Sequence, residues 1–344
     1  MLSDALDAGD DLVTVLIPAK DEEASIADCL SSVLAQDHAN LQVVVIDGAS
    51  SDGTASIVAE FRRRDKRVEL LHNAAGAIPV SLNLGVAVAR GAWLVRIDAH
   101  ATVPRDYVRI ALHHLLTARW GGVGGRKDGV GKSPAGRAIA AAMGSQFGVG
   151  NSTYHYGDEV QTVEHIPFGA YPVALIRALG GWDEQLRVNQ DFEFDYRVRE
   201  AGHELLFDPR LRIDWQSRQT ILQLYRQYRR YGKGKTIVAA KHPASVRLRH
   251  LAAPALVASW AVALVLAPRR PAAAAAVVAP YAAGLAVASV HTARRLSERR
   301  ARMYVPLAFV AMHAGWGLGW WEGQRELYTS ALIARLARTS DPRL

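Results

Sequence analysis

Asp98 and His100 are the two side chains whose types and spacing most directly suggest chemistry. They follow Trp93-Leu94-Val95-Arg96-Ile97, which reads as a short buried strand. Side chains alternate along an extended chain, so residues two apart face the same way. An aspartate and a histidine on one side of a strand end could hold one divalent cation together. A strand closed by a capping aspartate would explain the same residues. The pair therefore gains meaning only if other polar segments converge on it.

The preceding residues supply such segments. Val13 to Ile17 reads as a strand ended by Pro18. Asp21, Glu22 and Glu23 are expected to open a helix, where acidic groups suit the positive dipole end, with Ile26, Leu30, Val33 and Leu34 as its buried stripe. Leu41 to Ile46 reads as a second strand, Asp47 to Thr54 as the turn after it, and a helix runs on to about Arg64. Val68 to Leu71 is a third strand. A helix begins at Pro79 and ends near Arg90-Gly91, where glycine would take the left-handed cap. The Trp93 strand is the fourth. Strands alternating with helices at this spacing predict βαβ units and an α/β fold, a mostly parallel sheet with helices on both faces. In such sheets ligands bind beyond the carboxyl ends of the strands. Pro18 to Glu23, Asp47 to Thr54 and Asp98 to His100 all fall at those ends, so three polar loops should share one crevice.

Further on, Pro104 to Thr117 reads as a helix and Trp120 to Lys132 as a glycine-rich loop or strand. Gly131-Lys132-Ser133 is not a phosphate loop, because Arg126 stands where the motif needs its first glycine. Residues 138–150 are small, apolar and unassigned. His165 to Tyr171 reads as a strand entering a loop, and a helix over 172–179 ends at Gly180-Gly181. Asn189 to Asp195 starts a helix closed by Gly202. Asp191 lies in its first turn, where a cap or dipole partner is worth about 0.5–2 kcal/mol. Thr220 to Tyr231 is a helix mixing Leu222, Leu224, Tyr225, Tyr228 and Tyr231 with Arg226, Arg229 and Arg230. Two readings fit it: an amphipathic helix at a membrane surface, or a basic lid over a diphosphate leaving group.

Half of the 344 residues are apolar and 22% are charged, which excludes a disordered chain. The single cysteine, Cys29, allows no disulfide or thiolate metal site within the chain, and a cytosolic soluble part is the simplest inference. The net charge of +8 is uneven. From Leu251 onward there are 11 arginines against 4 acidic residues, whereas the first 250 residues are nearly balanced. A nucleic-acid binder would carry its excess on the folded domain, so nucleic acid is not an expected partner. Basic charge beside apolar runs suits anionic lipid instead. Residues 251–267, 272–290 and 304–321 each approach the roughly 20 residues a membrane span needs. Arg294, Arg295, Arg299, Arg300 and Arg302 between the second and third runs place that loop in the cytoplasm. Trp316, Trp320 and Trp321 would form an interfacial belt.

The motifs together resemble one family. They are Ile17-Pro18-Ala19-Lys20-Asp21-Glu22-Glu23, Asp47 to Thr54, Asn83 with Gly85, Asp98-Ala99-His100, Gly169-Ala170, Gly180-Gly181-Trp182-Asp183-Glu184 and Gln190-Asp191. In this order they resemble the family 2 inverting glycosyltransferases, which have the GT-A (Rossmann-like) fold, and among them the ExoA-like succinoglycan glucosyltransferase type. The resemblance covers about residues 12–240. It implies a GT-A domain over 12–218 after a flexible N-terminus, 1–11, then an interface helix and linker, 219–250, a membrane region, 251–322, and a tail, 323–344.

The resemblance also implies roles. Pro18, Lys20 and Glu22 would line the nucleoside of a nucleotide-sugar donor, with UDP the expected nucleotide, and Asp47 would pair with the base. Asn83 and Asp98 would complete the donor site. Asp98 and His100 stand where relatives carry an Asp-x-Asp metal motif, so Mn²⁺ or Mg²⁺ is the implied cofactor. His100 departs from that motif and tilts the preference toward Mn²⁺. Leu82 stands where many relatives have a basic residue, and Arg96 is the candidate to compensate. Asp191 matches the catalytic base, with Gln190 replacing the usual Glu. Gly169, Trp182, Asp183, Gln190, Arg226, Arg229 and Arg230 would serve the acceptor and the diphosphate. The motif of processive relatives is absent at Tyr228 to Tyr231, which implies transfer of one sugar per encounter. The implied acceptor is a lipid-linked, polyprenyl-diphosphate saccharide, and the implied location is the inner (plasma) membrane, multi-pass, with the catalytic part cytoplasmic. Three alternatives stand beside this reading: a polyprenyl-phosphate glycosyl synthase, an inactive membrane-anchored sugar-nucleotide-binding protein, and a soluble nucleotidyltransferase.

Overall fold

The computed structural model describes residues 11–339, with side chains through residue 330. The expected flexible N-terminus and the end of the tail therefore lie almost wholly outside the described residues. The chain divides into two compact units, residues 1–129 with 152–216, and residues 130–151 with 217–344.

The first unit is built on a nine-stranded sheet. Its strands are β1 (Val13–Ala19), β2 (Leu41–Asp47), β3 (Val68–His72), β4 (Trp93–Arg96), β5 (Ala101–Thr102), β6 (Gly122–Val130), β7 (Gln161–Val163), β8 (Ala170–Pro172) and β9 (Leu205–Gln216). The order is β3-β2-β1-β4-β8-β6-β9-β5, with β7 paired to β9. The β3-β2-β1-β4 half is parallel, and β8, β5 and β7 pair antiparallel to their neighbours. The parallel strands are continuous Val/Ile/Leu runs, with β2 buried along its whole length, because helices cover both faces. Those helices are α1 (Ile26–Leu34), α2 (Thr54–Arg64), α3 (Ile78–Val88) and α4 (Tyr107–Thr117). β2 and β4 flank β1 on opposite sides, so the strand order reverses there, and in such sheets ligands bind beyond the carboxyl ends of the strands at that point. One core joins Leu16, Val44, Ile46, Leu82, Leu94, Tyr171, Trp182 and Phe194.

Three local expectations are corrected. The first helix begins at Ile26 rather than Asp21. Asp21 has a left-handed φ of 54°, and the Asp21 and Glu23 side chains, expected to open the helix, bind the next loop instead. Gly91 has no positive φ. It is small because the backbone of Leu12 and Thr14 runs against it, and a Cβ would collide there. β4 stops at Arg96, and Asp98 to His100 form a turn closed by Ala101 N–H to Asp98 C=O at 3.0 Å. Strand alternation therefore does not set the directions of Asp98 and His100.

The second unit is helical: α5 (Pro134–Met143), α6 (Gln146–Val149), then, after α7 (Val173–Ala178) and α8 (Gln190–Glu200) of the first unit, α9 (Ile221–Lys241), α10 (Leu248–Leu266), α11 (Pro271–Ala293) and α12 (Arg299–Thr339). The Thr220 hydroxyl caps α9, accepting from Gln223 N–H at 3.2 Å. Two helices among the described residues, α10 and α11, are long and apolar enough to cross a membrane. Only 17% and 11% of their apolar windows are buried, whereas the core helix of a soluble domain would be mostly buried. The third apolar run lies inside α12, which is not one of the two. Its Val305, Ala308, Phe309 and Met312 are buried within the unit. The expected third span, and with it a third crossing, therefore gains no support.

Candidate functional site

The loop after β1 and the loop after β2 are tied together by side chains. Asp21 Oδ1 accepts from Ser51 N–H at 2.8 Å, Thr54 Oγ1 from Glu22 N–H at 2.8 Å, and Asp52 Oδ2 from Glu23 N–H at 3.1 Å. Parallel register puts Ala19 beside Asp47. Asp47 is buried and accepts from Ser50 N–H at 3.3 Å, and His72 Nδ1 lies 3.4 Å from its other oxygen. Lys20 runs beside Gly76, whose φ of +62° admits no side chain easily. Pro18, Lys20, Glu22 and Asp47 thus border one set of strand ends.

Glu22 links this set to the turn after β4. Its Oε1 is 2.8 Å from His100 Nδ1, while Ser25 donates to its other oxygen at 2.8 Å. A carboxylate there draws the ring proton to Nδ1 and leaves Nε2 as the lone pair. Metal-binding histidines are oriented by this kind of pairing. The imidazole also rests against Trp215 of β9, ring centroids 5.5 Å apart. Among the described residues no three His, Cys, Asp or Glu side chains gather into a metal cage. Asp98 and His100 offer a carboxylate and an imidazole, a donor set that fits a cation completing its shell with substrate oxygens.

Arg96 joins Asp98 to Asp191. Its Nη2 donates to Asp98 Oδ1 at 2.9 Å, and its Nη1 lies 3.8 Å from Asp191 Oδ2. Burial works against the guanidinium charge, but the two carboxylates hold its pKa above the usual arginine value. Its Nε is buried without a partner. Its guanidinium carbon lies 5.7 Å from the Phe168 ring centroid. Lys127 of β6 shares that ring at 5.3 Å and sits 3.6 Å from the Trp215 centroid. Asp191 lies at the start of α8, after the left-handed Asn189, and accepts from Phe192 N–H at 2.8 Å. Burial would raise its pKa, but His165, Arg96 and Lys127 outweigh it, so Asp191 stays below the usual carboxylate range.

The other expected residues have partners of their own. Asn83 clamps the Trp182 loop, its amide accepting from Trp182 N–H and donating to Trp182 C=O, each at 2.8 Å, and donating to Glu184 at 2.9 Å. Trp182 belongs to the core, against Phe194 and Tyr171. Asp183 accepts from Gln185 N–H at 3.0 Å. Gln190 is buried at the head of α8, and Gly169 C=O accepts from Arg96 N–H at 3.2 Å. Arg226, Arg229 and Arg230 belong to the second unit, where Arg229 makes two 2.8 Å bonds to Glu322 of α12. Lys127, His165, Phe168 and Trp215 were not anticipated. The alternation of Leu211, Ile213 and Trp215 was the available signal for β9, and with it Trp215.

The Glycosyl transferase family 2 model matches residues 14–178. Succinoglycan biosynthesis protein ExoA of Rhizobium meliloti (strain 1021) is 33% identical over 287 residues, covering 82% of this chain and 85% of the relative. A Methanococcus voltae protein, dolichyl N-acetyl-alpha-D-glucosaminyl phosphate 3-beta-D-2,3-diacetamido-2,3-dideoxy-beta-D-glucuronosyltransferase, is 23% identical over 67% of this chain and 74% of its own. Among solved structures, the mannosyltransferase PcManGT of Pyrobaculum calidifontis, in complex with GDP-Man and Mn²⁺, superposes with a TM-score of 0.62 at 21% identity, covering 90% of this chain and 87% of that one. That likeness supports the GT-A sheet, and the identity to ExoA across more than four-fifths of both chains settles the kinship: the protein belongs to glycosyl transferase family 2.

Proposed function

We propose that the protein transfers one sugar, with inversion, from a nucleotide sugar to a hydroxyl of a lipid-linked saccharide at the cytoplasmic face of a membrane, in polysaccharide or glycolipid assembly. The observation that carries this reading is Arg96, which bonds Asp98 on one side and reaches to 3.8 Å from Asp191 on the other. It ties the expected diphosphate end of the site to the expected base. The loops carrying Lys20, Glu22 and Asp47 would hold the nucleoside. Asp98 and His100 would hold a divalent cation, which would supply positive charge to the leaving diphosphate. Arg96 adds a fixed charge that needs no reorganisation during reaction.

In the reaction, the acceptor O–H bond breaks and Asp191 takes the proton. The acceptor oxygen bonds to the anomeric carbon as the sugar's bond to the diphosphate breaks, and the diphosphate leaves with the electron pair. A single displacement inverts the centre. A carboxylate held below its usual pKa is ionised at neutral pH, and it takes the proton as the acceptor oxygen bonds to carbon and its O–H grows acidic. The name of ExoA supports a role in polysaccharide assembly, and that of the Methanococcus voltae relative supports a lipid-phosphate-linked acceptor. PcManGT supports Mn²⁺, and its GDP-mannose widens the donor question beyond UDP. The weakly buried α10 and α11 support a membrane location.

A screen of UDP- and GDP-sugars with polyprenyl-diphosphate saccharides and Mn²⁺ or Mg²⁺, read by mass spectrometry, tests the reading. The parent should give a mono-glycosylated product. Asp191→Asn should lose at least about two orders of magnitude in turnover, the scale of general base catalysis. Little loss on a polyprenyl phosphate acceptor would identify a synthase whose acceptor is already ionised. Donor binding without transfer under every metal would identify an inactive binding protein.

A further inference from the structure

The reaction as proposed leaves unused a second carboxylate on α8, this one buried. Asp195 lies one helical turn after Asp191 on α8, so the two side chains share a face. It is fully buried and takes three donors: His165 Nδ1 at 2.7 Å, Ile166 N–H at 2.8 Å and Tyr171 O–H at 2.7 Å. His165 also packs on Phe192, the residue next to Asp191, ring centroids 5.8 Å apart, and edge-on to Tyr154 at 5.4 Å. His165 thus ties its Nδ1 to the Asp195 carboxylate and lays its ring against the residue next to Asp191.

We propose that His165, anchored by Asp195, is a positioning residue for Asp191, whose ring sets the charge facing that carboxylate and so the pH range in which it can take the acceptor proton. The inference rests on the reading of Asp191 as the base. The groups around this pair are Asp195 on α8, Tyr171 on β8, Arg96 on β4, Lys127 on β6, and Tyr154 with His155 in the 3-10 turn 153–155. Arg96 and Lys127 give a constant positive field. Burial holds His155 neutral, well below the usual histidine value. Burial raises the Asp195 carboxyl above its usual range, against the pull of its three donors. A charged ring lowers the pKa of Asp191, so removing it should raise that pKa.

The test uses the full chain in detergent and the variants His165→Asn, which can still hydrogen-bond Asp195, and His165→Gln. Carboxyl ¹³C NMR follows the Asp191 signal, assigned by its loss in Asp191→Asn. Its midpoint should move up by about one pH unit in both variants, the shift typical of losing a nearby opposite charge. The acid limb of kcat/KM, measured with the donor and acceptor found in the screen, should move with it, while donor KM at the plateau stays the same. An unchanged midpoint and limb would overturn the inference, because a purely structural His165 would affect only folding. Turnover retained in Asp191→Asn would instead sink the base reading, and the NMR arm would still report on His165.

Discussion

Among the described residues, four that are not glycine hold a left-handed backbone: Asp21, Ala49, Phe168 and Asn189. Each position costs on the order of 1–3 kcal/mol and persists where its surroundings enforce it, often at functional sites. Here all four flank the proposed site. Asp21 turns its carboxylate onto Ser51 N–H, Ala49 lies in the Asp47 loop, Phe168 sets its ring near Arg96 and Lys127, and Asn189 launches α8 just before Asp191. Glu22 is the residue whose role these contacts most sharpen. The family resemblance gives it to the nucleoside, whereas its contact is with His100 Nδ1. Glu22→Gln should weaken Mn²⁺ binding about 10–100-fold, as losses of a ligand's supporting partner do. It should leave nucleoside diphosphate binding in EDTA unchanged. Mn²⁺ EPR and calorimetry measure the two, and the reverse pattern would return Glu22 to the nucleoside. Asp98 and Asp191 were legible in the sequence because motif residues fix them. His165, Lys127 and Trp215 were not, because their meaning depends on Asp195, Phe168 and a strand pairing that local pattern does not reveal.

Among the elements, the parallel strands were legible because burial on both faces demands continuous Val/Ile/Leu runs, as in Leu41–Asp47. The twelve-residue β9 escaped because it is half buried, with Arg210, Arg212 and Asp214 interleaved among its core residues. The third apolar run was ambiguous for a related reason. Hydropathy cannot distinguish a face meant for lipid from one meant for a neighbouring helix. On α12, Gly315, Gly319 and Gly323 recur every four residues against α9. A Cβ at Gly319 would strike the Arg229 carbonyl, and one at Gly315 the Tyr225 carbonyl. Gly232 of α9 meets the Trp316 carbonyl in the same way. Small residues at this spacing let two helix backbones approach closely. In an open helix, glycine to alanine stabilises by about 1 kcal/mol. Gly284 of α11, with nothing within 4 Å of its would-be Cβ, is such a place. Gly319→Ala should lower the melting temperature of the detergent-solubilised chain, whereas Gly284→Ala should hold or raise it. Equal effects would show that α12 does not pack closely on α9.

At the scale of the whole molecule, one unit carries the sheet and the proposed site, and the other carries the two helices able to meet lipid. At 1.5 Å per residue, α10 and α11 span about 28 and 34 Å, close to the hydrocarbon thickness of roughly 30 Å. The turn between them holds Arg269 and Arg270, while Arg294, Arg295, Arg299, Arg300 and Arg302 follow α11. The larger basic cluster should remain cytoplasmic, so a hairpin that crosses would present Arg270 on the outer side and Ser297 within. The chain is suited to this test because Cys29 is fully buried and burial pushes its thiol pKa up, leaving it poorly reactive. In intact cells a membrane-impermeant maleimide should label Arg270→Cys and spare Ser297→Cys, and lysis should make both reactive. Both positions are exposed, so protection from the reagent would report the bilayer rather than the fold. Labelling of neither position before lysis would mean that α10 and α11 lie along the membrane rather than across it. An even number of crossings returns the chain to the side from which it entered. The segment after α11 would then share the cytoplasmic face that the proposed transfer assigns to the first unit.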